Sequence, residues 1–203
     1  MNRIEELARL RESNSLLNHP FYKLWTEGKI SRETLGVYAR EYRAFISALP
    51  DGWLPLNEPG KVHEEKEHIK LWNDFAKAFG AGDRAAAFPE TRALTAVFQA
   101  LCESPESAIG ALYAFEVQQP AVAQSKADGL RKHYDVSGRA LKYFDTHAKN
   151  DEEVESLEKK IEALSDVEFE RAKSAYALTL NALWTALDGV YFRCPDTAAM
   201  ACG

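Results

Sequence analysis

The sequence has few cysteines, and none of them forms a recognisable pair. The three cysteines, Cys102, Cys194 and Cys202, are scattered along the chain and no CxxC spacing occurs. Disulfide frameworks and structural zinc sites need paired or clustered cysteines. The pattern therefore argues against both and predicts free thiols.

Long hydrophobic runs and basic clusters are also missing. No apolar segment approaches the roughly 20 residues that a membrane-spanning helix needs, and residues 1–6 carry charges where a signal peptide would be apolar. We therefore expect a cytoplasmic protein that does not enter a membrane. The formal net charge of −6 gives no basic surface for a phosphate backbone, so nucleic acid is not an expected partner.

What remains is the composition of an ordinary globular chain. Hydrophobic residues make up 46% and charged residues 28% of the sequence, close to the averages for such proteins. A chain of 203 residues can bury one large core without splitting. We expect residues 1–203 to form a single domain.

The spacing of apolar residues predicts an all-α fold. Apolar side chains recur every three or four residues in almost every segment, and no segment alternates polar and apolar residues. Ser31, Ser104 and Ser165 each stand where a helix N-cap is expected, and Pro50 is expected to end a helix. The pattern predicts a bundle of about seven helices, one of them running unbroken over residues 137–164.

Ionisable residues fall on several of the predicted apolar faces. An unpaired buried carboxylate costs several kcal/mol, so such residues are retained only with partners. In the helix predicted to end near Gly80, Glu65 occupies the seam position between Val62 and Ile69, with His68 three residues later. This Glu-x-x-His spacing presents a carboxylate and an imidazole to the same metal ion in helical bundles.

Two further helices show the same feature. Glu116 follows Leu112 and Tyr113 by four and three residues, on their side of the predicted helix. In the unbroken helix expected over residues 137–164, His147 and Asp151 lie one turn apart on the face that points to the core. Both segments therefore place acids or imidazoles inside the bundle.

Taken together, these residues form a candidate ligand set for metal ions. The set comprises Glu65, His68, Glu116, His147 and Asp151. Carboxylates combined with imidazoles suit iron or manganese better than calcium, and three carboxylates would nearly neutralise two divalent ions. Each residue also has a plainer interpretation, such as a salt bridge of Glu65 with Lys61 or a core position for His147.

Four motifs occur along the chain in a characteristic order. They are HPFYxxWxxG from His19, EHIxLWxxF from Glu67, AxExQxPxxAxxK from Ala114 and HxxxD from His147. In this order they resemble the CADD family, a branch of the TenA/PqqC superfamily, over nearly the whole chain. The resemblance implies a haem-oxygenase-like bundle, a homodimer, a site for two non-haem iron or manganese ions, and an oxidase that uses dioxygen.

The resemblance also implies roles for individual residues. By matching positions, the five candidate ligands named above would bind the two metal ions. CADD-like p-aminobenzoate synthases, which make a folate precursor, are thought to cut the aromatic product from one of their own tyrosines, with a lysine implicated as the nitrogen source. Tyr22 and Lys126 match these two positions and are the predicted catalytic residues.

The chain departs from the family pattern at three positions. Val154 stands where the family has a second histidine, and Lys61 stands where several members have a glutamate. Phe115 stands where the family has a tyrosine directly before the glutamate that matches Glu116. Valine cannot bind a metal ion. One metal site could therefore be weak, absent or rebuilt, with Glu155 and Glu58 as candidate substitutes.

Two other functions remain open from the sequence. A cofactor-free or hydrolytic relative of TenA or PqqC would use the same cavity for an aromatic or heterocyclic ligand, with Glu116 or His68 as general acid or base. TenA-like hydrolases need a cysteine nucleophile, and Cys102 is predicted to lie away from the inward-facing acids. A binding protein with a degenerate metal site is the third interpretation.

Overall fold

The computed structural model describes residues 2–82 and 85–201, and Cys202 lies outside them. Every regular element in the described residues is helical, as the periodicity predicts. The α-helices are α1 (Arg3–Glu12), α2 (Pro20–Thr26), α3 (Arg32–Trp53), α4 (Pro59–Ala78), α5 (Pro89–Leu101), α6 (Pro105–Glu116), α7 (Gln119–His133), α8 (Lys142–His147), α9 (Asp151–Ala163), α10 (Asp166–Arg193) and α11 (Pro195–Ala201). None of these helices is long and apolar enough to cross a membrane.

Three predicted N-caps are confirmed. The Ser31 side chain accepts a hydrogen bond from the backbone of Thr34, and Ser104 caps α6 in the same way. Ser165 and Glu168 form the reciprocal capping box that opens α10. Each cap satisfies a backbone N–H that has no partner inside the helix, which is why the helices begin where the sequence indicates.

Helix α3 continues past Pro50, so the predicted end at this proline is wrong. The proline removes only the hydrogen bond to the residue four positions earlier, and it stands in the last turn of the helix. Pro50, Gly52 and Trp53 are all buried. A Cβ on Gly52 would lie 2.8 Å from the side chain of Leu112, so this last turn packs closely on α6. Packing outweighs the lost hydrogen bond.

The predicted unbroken helix over residues 137–164 is divided. A 3₁₀ turn, Gly138–Leu141, leads into α8, and a turn over residues 148–150 separates α8 from α9. Asn150, the residue before α9, has φ −88° and ψ 42°, which are not helical values. Because of this break, the faces of α8 and α9 are no longer related by the 100° rotation per residue of a single helix.

Close helix packing fixes the position of α6 in the bundle. A Cβ on Gly110 of α6 would lie 2.0 Å from the carbonyl oxygen of Ala172 in α10, so only glycine permits this approach. The last residue of α6 is Glu116, which is fully buried. The contact between α6 and α10 therefore holds Glu116 in place inside the protein.

Candidate metal and tyrosine site

Residues from two helices form a first group of potential metal ligands. Glu65 and His68 lie one turn apart on α4, and His147 is the last residue of α8. One ligand atom from each of the three lies within 4.8 Å of the other two. The two imidazole rings are in contact, with 4.5 Å between their centroids. All three side chains are buried.

A second group shares Glu65 with the first. It consists of Glu65, Glu116 and Glu153, from α4, α6 and α9, and its carboxylate oxygens also lie within 4.8 Å of one another. The three side chains are 0% exposed. The two groups therefore form one continuous buried cluster in which Glu65 faces both.

Several atoms of this cluster have no hydrogen-bond partner among the described residues. They are both carboxylate oxygens of Glu65, Nδ1 of His68, Oε1 of Glu116 and Nε2 of His147. Among them, Oε2 of Glu65 and Nδ1 of His68 are 3.4 Å apart, a long ion-pair contact. A buried polar atom without a partner costs about 1–3 kcal/mol, and more if charged. Each of these atoms is of a kind that binds iron or manganese, so the donor set fits divalent metal ions.

The orientation of His147 supports this interpretation. Its Nδ1 lies 2.8 Å from the backbone carbonyl oxygen of Tyr143, which can only accept a hydrogen bond, so Nδ1 carries the proton. The lone pair of Nε2 is then free and points into the cluster. A histidine held by its other nitrogen in this way is typical of metal sites.

The pKa values show how poorly the acids tolerate burial without a cation. Burial, followed by the charges of Glu153 and Glu65, raises the pKa of Glu116 well above its usual range. Burial also raises the pKa of Glu65. Burial, followed by the nearby His68, lowers the pKa of His147 to about 3, so this imidazole is neutral. Neutral imidazole and ionised carboxylate are the forms that bind metals, and a bound cation would favour both.

Lys61 pairs with Glu153 and not with Glu65, so the salt bridge considered from the sequence is wrong. The Lys61 Nζ donates to Oε1 of Glu153 at 2.8 Å and to Oε2 of Glu64 at 2.9 Å. The side chain of Asn150 donates to the other oxygen of Glu153. Glu153 is thus the one acid of the cluster whose two oxygens both have protein partners.

Asp151 does not join the cluster, and the expectation that it faces the core is wrong. It is exposed at the first position of α9, whereas Glu153 is buried. In an unbroken helix Glu153 would be rotated about 240° from His147, but the turn over residues 148–150 resets this angle. A signal for Glu153 was present in the sequence, because it lies four and eight residues before the buried Leu157 and Ile161.

The two candidate substitutes also lie outside the cluster. Glu155 is exposed, and Glu58 accepts a hydrogen bond from Lys160 at 2.7 Å. Neither belongs to a group of potential metal ligands in the described part of the chain.

The structure brings the predicted catalytic residues together. The Nζ of Lys126 lies 4.3 Å from the centroid of the Tyr22 ring and donates a 2.7 Å hydrogen bond to the hydroxyl of Tyr38. The hydroxyls of Tyr38 and Tyr22 are 3.1 Å apart. The sequence does not predict a role for Tyr38 in this site, because it is one of several aromatic residues, with Tyr42, on the apolar face of α3. The catalytic roles of Tyr22 and Lys126 stay a prediction.

Burial controls the protonation of these groups. It lowers the pKa of Lys126 well below its usual value, which favours a neutral amine. It also raises the pKa of Tyr22 well above its usual value, so this phenol keeps its proton. Burial therefore favours an uncharged amine beside an uncharged phenol ring.

Tyr143 interacts with the carboxylate–imidazole cluster and senses the Lys126–Tyr22 pair. Its ring stacks on that of His147, with 4.1 Å between the centroids. After burial, the main cause that raises its pKa is the nearby Glu65, and Tyr22 contributes as well. Its hydroxyl has no hydrogen-bond partner among the residues described. The potential ligands and the Lys126–Tyr22 pair thus belong to one buried region.

Cys102 lacks the properties of a nucleophile. It is partly buried, and burial, followed by the charge of Asp51, raises the pKa of its thiol to about 12. Nucleophilic cysteines need an accessible thiolate with a lowered pKa. This finding argues against a TenA-like hydrolase that uses Cys102.

Comparison with known proteins identifies the family. The model of a haem-oxygenase-like family described as "iron-containing redox enzyme" matches residues 55–180. The chain belongs to this family. As an iron-containing redox enzyme it is an oxidoreductase, and the matched segment includes every acid and histidine of the buried cluster.

Relatives of this iron-containing redox enzyme carry a more specific name. The chain is 33% identical to a 4-aminobenzoate synthase of Nitrosomonas europaea, an alignment that covers 92% of this chain and 90% of the relative. It is 32% identical to a 4-aminobenzoate synthase of Chlamydia pneumoniae, covering 78% and 80% of the two chains. These matches bear out the resemblance drawn from the four motifs.

Solved structures confirm the haem-oxygenase-like fold. A TenA homologue from Pseudomonas syringae superimposes with a TM-score of 0.76 at 14% identity, covering 93% of this chain and 92% of the other. A domain with a heme oxygenase-like fold from Shewanella denitrificans gives a TM-score of 0.73 at 17% identity, covering 92% and 89%. At these identities the likeness concerns the fold alone.

Proposed function

We propose that this chain is a metal-dependent oxidase that forms 4-aminobenzoate with dioxygen as co-substrate. The observation that carries the proposal is a buried carboxylate–imidazole cluster close to a buried lysine–tyrosine pair. Helix α8 joins them, because it supplies His147 to the cluster and Phe144 to the surroundings of Lys126. The names of the relatives at 33% and 32% identity support the same activity.

Two metal ions, iron or manganese, fit the cluster. Glu65, His68 and His147 would hold one ion, and Glu65, Glu116 and Glu153 the other. When bound, such ions supply the redox chemistry that makes dioxygen reactive. Asp151 has no place in this ligand set.

Tyr22 and Lys126 would supply the aromatic ring and the nitrogen of the product. The neutral amine of Lys126 lies against the Tyr22 ring, and Tyr38 fixes it there through a hydrogen bond. The rings of Trp25 and Phe144 also surround this amine, with their centroids 5.7 and 5.8 Å from Nζ of Lys126. This aromatic enclosure excludes water, which would protect a reactive oxidant from side reactions.

Isotope labelling tests the proposal directly. The protein is prepared with ring-¹³C tyrosine and ¹⁵N lysine, loaded with ferrous or manganous ions, and exposed to dioxygen with a reductant but no added aromatic compound. We expect 4-aminobenzoate that carries both labels, detected by mass spectrometry. Product formation should be lost in Tyr22→Phe and in Lys126→Arg.

Matched variants control for nonspecific effects. Tyr176→Phe alters a buried tyrosine on α10, and Lys132→Arg alters an exposed lysine on α7, and both should form product normally. Labelled product from Tyr22→Phe would overturn the role of Tyr22. Product that forms only from an added aromatic compound, and without label, would mean that the substrate is a small molecule.

A further inference from the structure

Lys61 lies at the border between the carboxylate cluster and solvent. Its ammonium group contacts Glu153 on the inner side and Glu64 on the outer side, at 2.8 and 2.9 Å. The Glu153 side chain is 0% exposed and that of Glu64 is 45% exposed, while that of Lys61 is 26% exposed. The lysine can therefore leave Glu153 without leaving its second partner.

This contact means that a metal ion reaches the two groups of potential ligands with unequal ease. Within the described residues, no lysine or arginine forms an ion pair with Glu65 or Glu116. Glu153 instead has one oxygen taken by Lys61 and the other by Asn150. A metal ion can approach Glu65, His68 and His147 without displacing a cation, but it can reach Glu153 only by breaking an existing contact.

The charges of the cluster favour the same order. Glu65, Glu116 and Glu153 carry three negative charges when ionised, and Lys61 cancels one of them. One divalent ion then neutralises the cluster. A second divalent ion would be added to a buried site that has no remaining negative charge and that already holds an ammonium group, and both conditions oppose its binding.

We infer that Lys61 makes the two metal sites unequal and sets the order in which they fill. The first ion binds at Glu65, His68 and His147 while Lys61 stays on Glu153. A second ion binds at Glu65, Glu116 and Glu153 only after Lys61 has turned outward to Glu64 and solvent. This inference rests on the proposed function for the presence of metal, and it concerns the number of ions and their relative affinity.

Titration of metal-free protein with Mn²⁺ tests the inference without measuring activity. Calorimetry gives the number of ions and their affinities, and electron paramagnetic resonance detects magnetic coupling between two adjacent ions. We expect one tight ion in the wild type and a second that binds about tenfold more weakly or worse. Lys61→Gln should bind the second ion at least about tenfold more tightly, which corresponds to about 1.4 kcal/mol.

Two controls test whether the effect depends on a positive charge at position 61. Lys61→Arg keeps the charge beside Glu153 and should resemble the wild type. Lys70→Gln removes the same charge from an exposed site on α4, where the lysine pairs with Glu67, and should also leave both affinities unchanged. Equal affinity of the two ions in the wild type would overturn the inference, as would a second ion no tighter in Lys61→Gln than in Lys70→Gln.

A second variant keeps the test decisive if Lys61→Gln does not fold. Glu153→Gln should keep the tight first ion and lose the second, and loss of the first ion would overturn the assignment of the two sites. Absence of any bound ion in the folded wild type would refute the proposed function as well. Two equal ions would refute only the inequality, so the two failures are distinguishable.

Discussion

The ring of Tyr143 is stacked on the imidazole of His147, with 4.1 Å between the centroids and 28° between the planes. The same tyrosine accepts the Nδ1–H hydrogen bond of His147 through its backbone carbonyl. One residue therefore fixes both the plane of the imidazole and its protonation, and it does so one helical turn before His147. Nε2 is left to face Glu65 and His68.

Tyr143→Ala should weaken metal binding and stability together. Removal of the stacked ring leaves a cavity that costs about 3–5 kcal/mol of unfolding free energy. The variant keeps the backbone carbonyl that accepts the Nδ1–H hydrogen bond of His147, so loss of the stacked ring should weaken metal binding by up to about tenfold, the lower end of the effect of losing an orienting partner. Tyr143→Phe keeps the ring and should match the wild type in urea unfolding and in Mn²⁺ titration. Wild-type metal affinity in the folded alanine variant would show that the stacking does not orient His147.

Loss of charge at Asp151 and at Glu116 should affect metal binding differently. Asp151→Asn changes an exposed residue outside the cluster, so we expect Mn²⁺ affinity within about twofold of the wild type. Glu116→Gln removes a buried potential ligand and should abolish binding of the second ion. Equilibrium dialysis followed by metal analysis measures both. A large loss of bound metal in Asp151→Asn would contradict the proposed ligand set.

The pH dependence of the metal-free protein should depend on Glu116. Burial, with the charges of Glu153 and Glu65, raises its pKa in the folded state, so its contribution to stability is present below the unfolded pKa and is lost as pH rises through the folded pKa. Glu116→Gln is uncharged throughout. The stability of Glu116→Gln relative to the wild type should therefore increase as pH rises above about 4.5, by no more than about 1.4 kcal/mol per pH unit.

Urea unfolding in the presence of a chelator measures this difference. The comparison cancels the opposite contribution of His147, whose lowered pKa of about 3 stabilises the folded state above the unfolded pKa and less so as pH falls. A stability difference that does not vary with pH would mean that Glu116 stays ionised in the folded protein.

Gly110→Ala should destabilise the bundle. The new Cβ would lie 2.0 Å from the carbonyl oxygen of Ala172, so α6 and α10 must move apart at a cost of about 3 kcal/mol. Gly60→Ala is the matched control, because its Cβ meets no atom within 4 Å and alanine favours a helix. Thermal and urea unfolding compare the two. Equal stability of both variants would show that the helices can separate freely at Gly110.

Much of the site could be predicted from short-range pattern. The Glu-x-x-His spacing placed Glu65 and His68 on the same buried face of α4, because a helix that continues without interruption preserves its phase. The inward position of Glu116 could be predicted from the apolar residues one helical turn before it. His147 was placed correctly because it lies in the same helix as the buried Tyr143 and Phe144.

Asp151 was misplaced because the prediction carried the phase of α8 through a helix break. No proline or glycine marks the turn over residues 148–150, so the spacing alone did not reveal it. Reading α9 backwards from Leu157 and Ile161 would have selected Glu153. The contact of Lys61 with Glu153 joins positions 92 residues apart and has no local signal.

The sequence by itself determined that the chain is helical, where most helices begin, and that acids and histidines lie on apolar faces, because these properties depend on side chains within a few residues of one another. The tertiary structure decided which acids meet, and that Glu153 and not Asp151 completes the cluster. It also decided that Tyr38 connects Lys126 to Tyr22 and that Lys61 contacts Glu153 at the edge of the cluster. These relationships depend on the angles and distances between helices, which are set by packing across the whole core.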